Sequence, residues 1–211
     1  MEKRIVQLPL TEETKKSLKA GDIVYLSGRI FNARSRWYLR VVQEGRPLPV
    51  DIHAKGVGAI FHGGPIVKKK ADGSYQIKSL VPMPGWVMNG EGGTRTWQAV
   101  EKIGLDAIVC KGMIDGSSTY CKKLNCVHFA APGTWIHLAK SIVEVKEVHW
   151  EELGYTEAMW IFEIKEMGPF IVETDADGVS LYDQVKDNLD DKINKLYERE
   201  GLKGFKYSLT P

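Results

Sequence analysis

Lys111 stands where a charged side chain could meet a ligand. It follows Asp106-Ala-Ile-Val-Cys110, a short apolar run of strand length, and is followed by Gly112. In open α/β sheets ligands sit outside the carboxyl ends of the strands, so a lysine and a backbone-exposing glycine there suit an anionic small molecule. The same residues also describe an ordinary α/β unit with a solvated lysine. Three cysteines (Cys110, Cys121, Cys126) form no CxxC and match no familiar zinc or iron–sulfur spacing, so metal ligation by this chain is not expected. His53, His62, His128, His137 and His149 read as packing or surface residues, because none has a partner at nucleophile or metal spacing.

These residues need elements to hold them. Arg4 to Leu8 reads as a strand, and Thr11 caps a helix with Glu12 and Glu13 in its first turn. Asp22 to Ile30 is a strand by its β-branched and aromatic content. Phe31 to Val42 reads as a helix with a basic face of Arg34, Arg36 and Arg40. Gly56 to His62 reads as a strand ending in a Gly63-Gly64-Pro65 loop. Ile66 to Lys70 and Tyr75 to Leu80 flank the Asp72-Gly73 turn as a hairpin. Two prolines and four glycines make Val81 to Gly93 irregular, and loops of this length are often functional. Thr94 starts a helix to Ile103. Asp106 to Cys110 and Cys126 to Ala130 are short strands around a helix from Ser117 to Lys123, and another short helix follows Pro132-Gly133-Thr134. Ser141 to Trp150 alternates as a half-buried strand. Met159 to Lys165 and Phe170 to Glu173 read as two strands parted by Gly168-Pro169. Ser180 caps a last helix, whose Leu181, Val185, Leu189, Ile193 and Leu196 predict one face packed on the body. The total is an α/β protein with a mixed sheet, read as one domain over 1–211.

The bulk numbers exclude several classes. With 211 residues the chain can bury a real core, and a net charge of +2 is too small to argue for nucleic acid. The N-terminus has no apolar signal region, and no window approaches the apolar length of a membrane span, so no membrane partner is expected. An odd count of cysteines fits free thiols in a reducing cytoplasm.

The order GDIVYLSGRIFNAR, GVGAIFHGGP, a strand ending in Lys111-Gly112, FAAPGTWIHLAKSI, EVHWEELG and EAMWIFEI resembles the β subunit, or C-terminal half, of class I fumarases and L-tartrate dehydratases. The resemblance covers roughly residues 5 to 183. It implies a swivelling β/β/α domain and hydro-lyase chemistry: the reversible loss of water from a 2-hydroxy (di)carboxylate such as malate, tartrate or a substituted analogue. It also implies a partner, an α subunit carrying a [4Fe-4S] cluster whose open iron is the Lewis acid, and activity only with that subunit. Arg34 falls on the family's Ala-Arg-Asp arginine and looks like a carboxylate clamp, since guanidinium offers two parallel donors to a planar carboxylate. Lys111 falls on the family's Lys-Gly lysine, a point charge near substrate. The family's aspartate after the arginine is Ser35 here, and its nearby histidine is Tyr38. The family's Gly-Pro-Thr-Thr-Ser-x-Arg-Met loop is replaced by residues 84 to 96. Asn89, Thr94 and Arg95 are its candidates for substrate binding, with Thr94 for proton transfer. Two readings follow from the altered loop: a hydro-lyase with a more apolar pocket, or a diverged ligand-binding or assembly subunit without chemistry.

Overall fold

A computed structural model describes residues 3–84, 95–112, 114, 116–132 and 135–202. Among them run β1 (Ile5–Gln7), α1 (Glu12–Ser17), β2 (Ile23–Ala33) and α2 (Ser35–Tyr38), which passes into a π-helical turn over Leu39–Gln43. Then come β3 (Val57–Lys69), β4 (Tyr75–Pro82), α3 (Arg95–Ile103), β5 (Ala107–Cys110), α4 (Ser117–Leu124) and β6 (Val127–Ala130). The chain ends with α5 (Trp135–Lys140), β7 (Ile142–His149), β8 (Met159–Thr174) and α6 (Leu181–Arg199). The mixed α/β class matches the expectation from sequence.

The sheet closes on itself. β2, β3, β5 and β6 run parallel as neighbours, and β8 is antiparallel to both β6 and β2. The seam from β2 through β3, β5, β6 and β8 therefore returns to β2 with no open edge. β1 and β7 extend the sheet beside β2 and β8. Successive residues along these strands enter two different cores, as the period of two requires. Ile30, Phe61, Val109, Phe129 and Phe162 belong to one cluster, drawn from all five ring strands. Phe31, Ile60, Ile108 and Ile161 belong to the other, which packs against Trp37 and Tyr38 of α2 and Trp97 of α3.

Four expectations are corrected. Phe31 to Ala33 continue β2, and the helix starts only at Ser35, with Arg34 as its N-terminal flank. Gly63-Gly64-Pro65 is not a loop: β3 runs straight through it. Glycine is needed there for close approach, since a Cβ would lie 2.1 Å from the Val81 carbonyl oxygen at Gly63 and 2.2 Å from that of Thr156 at Gly64. Nor do Gly168-Pro169 split β8. Val24 pairs with Phe170 and Leu26 with Met167, so two β8 residues oppose one on β2, and the proline is absorbed in a bulge. Lastly, α6 does not lay its apolar face on the body: Tyr182, Val185, Leu189 and Leu196 are exposed, and Leu181 and Ile193 only half-buried. Periodicity reports that a face needs cover, not which surface supplies it.

Candidate functional site

The parallel strands β2, β3 and β5 end side by side. Ala33 pairs with His62, and Phe61 pairs with Val109, so Ala33, His62 and Cys110 form one row. Arg34 and Lys111 each stand one residue beyond that row. Two inter-strand spacings put their backbones roughly 10 Å apart. A backbone ladder ties the row together: the Met83 N–H donates to the His62 carbonyl at 2.8 Å, and the Lys111 N–H donates to the Met83 carbonyl at 3.0 Å. Asn32 pins the end of β2. Its amide donates to the carbonyls of Gly63 and Ala158 and accepts from the Trp160 N–H at 2.8 Å. Arg34 and Lys111 thus stand at the same end of the sheet, on either side of β3.

Arg34 faces an acid. Its Nε lies 3.5 Å from Glu157 Oε1 without a well-formed hydrogen bond, and the other oxygen of Glu157 accepts from the Arg36 N–H at 3.0 Å. Lys111 is exposed. Arg95 opens α3, half-buried, next to the fully buried Thr96. Asn89 and Thr94 lie outside the described residues. A cleft of about 540 Å³ is lined by Lys3, Tyr25, His137 and Lys140 and contains neither Arg34 nor Lys111.

Beneath the strand ends lies a polar interior that sequence reading assigned to packing. The Tyr38 hydroxyl is 2.8 Å from His62 Nδ1, both fully buried. Burial pushes the Tyr38 phenol well above its usual range, with the Cys110 sulfur adding to the effect, so the hydroxyl is the donor. Burial likewise pushes His62 down to about 3, reinforced by His128 and only partly opposed by the Pro84 carbonyl. The ring is therefore neutral, with its proton on Nε2. That Nε2 lies by the Pro84 carbonyl without a well-formed hydrogen bond. Trp37 Nε1 is also buried without a partner, and Thr96 Oγ1 lies by the Tyr38 hydroxyl without a well-formed hydrogen bond. Such atoms are rare in a folded interior and mark places that need an explanation.

A second chain of contacts runs from Cys110. Its Sγ is 2.9 Å from His128 Nε2 and 3.2 Å from the Gly112 carbonyl oxygen, while His128 Nδ1 is 2.7 Å from Glu173 Oε2. Thr174 and Ser180 hydroxyls donate to Glu173 at 2.6 and 2.7 Å. Burial opposes charge on His128, but Cys110 and Glu173 outweigh it and raise the ring to about 10. Burial would raise Glu173, but His128 and the two hydroxyls outweigh it and hold it down to about 2. The pair is an imidazolium and a carboxylate. Cys110, His128 and Glu173 come from three strands, so no local spacing announced them.

Residues 1–185 match the family model described as the fumarase C-terminus. The chain belongs to the fumarase C-terminus family. It is 34% identical over 181 residues to the L(+)-tartrate dehydratase subunit beta of Escherichia coli K12, covering 85% of this chain and 86% of that protein. It is also 34% identical over 194 residues to a putative L(+)-tartrate dehydratase subunit beta of Methanocaldococcus jannaschii, covering 89% and 95%. A putative class I fumarate hydratase of Geobacillus stearothermophilus is 27% identical over 205 residues, 93% of this chain but 37% of that longer protein.

A cluster ligand set does not fit this chain's own donors. Among the described residues no three His, Cys, Asp or Glu side chains are grouped as a metal site. Cys110 is engaged by His128, and Cys121 is buried against Cys126. Likewise, among them no helix is long and apolar enough to cross a membrane.

Proposed function

We propose that this chain, acting over 1–211 as one domain, is the β subunit of an iron–sulfur-dependent hydro-lyase. The enzyme reversibly dehydrates a 2-hydroxy (di)carboxylate such as malate, tartrate or a substituted analogue. The observation that carries this reading, beside the family, is the alignment of Arg34 and Lys111 at the ends of β2 and β5, on either side of β3. Arg34 offers a carboxylate two parallel donors, and Lys111 supplies a compact positive charge to a second anionic group. Arg95 at the head of α3 and Asn89 add polar contacts, and Thr94 is the candidate for proton transfer. The [4Fe-4S] cluster belongs to an α subunit, which this chain needs for activity, and the complex works in the cytoplasm, where three buried thiols stay reduced.

The experiment is co-expression with and without a cluster-bearing α subunit, followed by dehydration assays on malate, tartrate and methylated analogues. The complex turns over one of them. Lys111→Ala and Arg34→Ala each lower kcat/KM by about 30- to 1000-fold with assembly intact, about 2–4 kcal/mol of transition-state stabilisation. Turnover by this chain alone, without a cluster, overturns the reading.

One observation favours a second reading, a non-catalytic binding or assembly subunit: Glu157 already stands beside Arg34. Unchanged turnover in both variants supports it.

A further inference from the structure

We propose that His128 and Glu173 are positioning residues for the Lys111–Gly112 turn, acting through the thiol of Cys110. This rests on the reading of Lys111 as a substrate-facing charge.

The hydrogen bonds can be assigned one by one. Gly112 follows Lys111 with φ at +71°, so the turn depends on a left-handed residue whose carbonyl needs a fixed partner. That partner is Cys110 Sγ, at 3.2 Å. The geometry there has the sulfur as donor and the Gly112 oxygen as acceptor. Having spent its proton, the sulfur can only accept from His128 Nε2, at 2.9 Å. Glu173, which already accepts from Thr174 and Ser180, accepts again from His128 Nδ1 at 2.7 Å. Only a doubly protonated ring donates from both nitrogens. The imidazolium is thus the state in which Glu173, His128, Cys110 and Gly112 are all satisfied. A neutral ring, protonated on Nδ1 alone, accepts the thiol's hydrogen bond at Nε2, so the thiol turns away from the Gly112 carbonyl.

The origins of these groups make this a positioning device. Cys110 ends β5, His128 lies in β6 and Glu173 in β8, and Ser180 caps α6. Four parts of the fold are linked, through Cys110, to the Gly112 carbonyl one residue beyond Lys111. Cys110, Glu173 and the neutral His62 are the titratable neighbours that face His128. All three candidate groups are buried, so none touches substrate, and their influence on the reaction passes through the turn.

The test uses the isotopically labelled full chain and the reconstituted complex. At about pH 8, where a free imidazole is neutral, both ring nitrogens of His128 are protonated in the 15N spectrum. Cys110→Ala moves the Gly112 carbonyl 13C resonance and raises KM about tenfold with kcat little changed, a misplacement effect. Cys110→Ser, which keeps a donor, restores both. A neutral His128 at that pH, an unmoved Gly112 resonance in Cys110→Ala, or a Ser variant as impaired as the Ala variant each overturns the proposal. The ring protonation is read on the unmutated chain, so it decides even if a variant misfolds. Full turnover in Lys111→Ala would instead overturn the reading of Lys111, which the Gly112 resonance does not measure.

Discussion

His62, His128 and Glu173 give the folded chain a defined response to pH. His62 is lowered from 6.5 to about 3, so its contribution is complete above 6.5 and is lost as pH falls toward 3. Glu173 is lowered from 4.5 to about 2, so its contribution is complete above 4.5 and is lost as pH falls toward 2. His128 is raised from 6.5 to about 10, so its contribution is complete below 6.5 and is lost as pH rises toward 10. The three ranges meet at about pH 6.5, where the melting temperature is expected to peak. His62→Gln should flatten the acid side of the Tm–pH curve, and His128→Gln the alkaline side, as followed by circular dichroism melts. An acid side unchanged in His62→Gln would show that His62 is not the neutral buried ring described. Lys111 stood out in sequence because it follows a recognisable apolar run, and Arg34 only through the family resemblance. The Tyr38–His62 and Cys110–His128–Glu173 contacts could not, because each joins residues far apart in the chain. A buried histidine looks the same in sequence whether it packs or pairs.

At the scale of elements, capping was readable for α1 and α6 but not for α4, where Gly116 is the cap and the expected Ser117 and Ser118 lie inside the helix. The Thr11 and Ser180 side chains accept from Thr14 and Asp183 N–H groups as capping chemistry requires. Glycine was ambiguous, because it serves turns and close contacts alike. Gly64→Ala in β3 drives a methyl group into the Thr156 carbonyl, and urea unfolding should show a loss of about 3 kcal/mol or more. The same substitution at Gly73, where a Cβ meets nothing within 4 Å but φ is +82°, should lose only about 1 kcal/mol. For α6, the body holds the first turn: Ser180 is buried on Glu173, and Ser118 bonds Asp183. Ser180→Ala should therefore lower stability by about 1–2 kcal/mol. Truncation after Lys186 should shift the melting temperature by only a few degrees, since the exposed remainder of the helix buries little apolar surface. A collapse of the fold on truncation would show that the rest of α6 packs after all.

The α/β class of the whole molecule followed from short β-branched runs alternating with capped helices. The closed sheet did not, because β-pairing between distant segments leaves no local mark on either. β1 and β3 pair with β2 first, and its pairing with β8 comes last: Ile23 meets Ile171, and Phe31 meets Ile161. The closure has a consequence for synthesis on the ribosome. Every strand of the ring but one, and the helices α1 to α5, have emerged before β8 is made. Until then the growing chain carries two unpaired edges, on β2 and β6, with the apolar inside of the ring open between them. Stalled nascent chains ending before Met159 should be cut readily by protease and bind holdase chaperones, and protection should appear abruptly once Thr174 has cleared the exit tunnel.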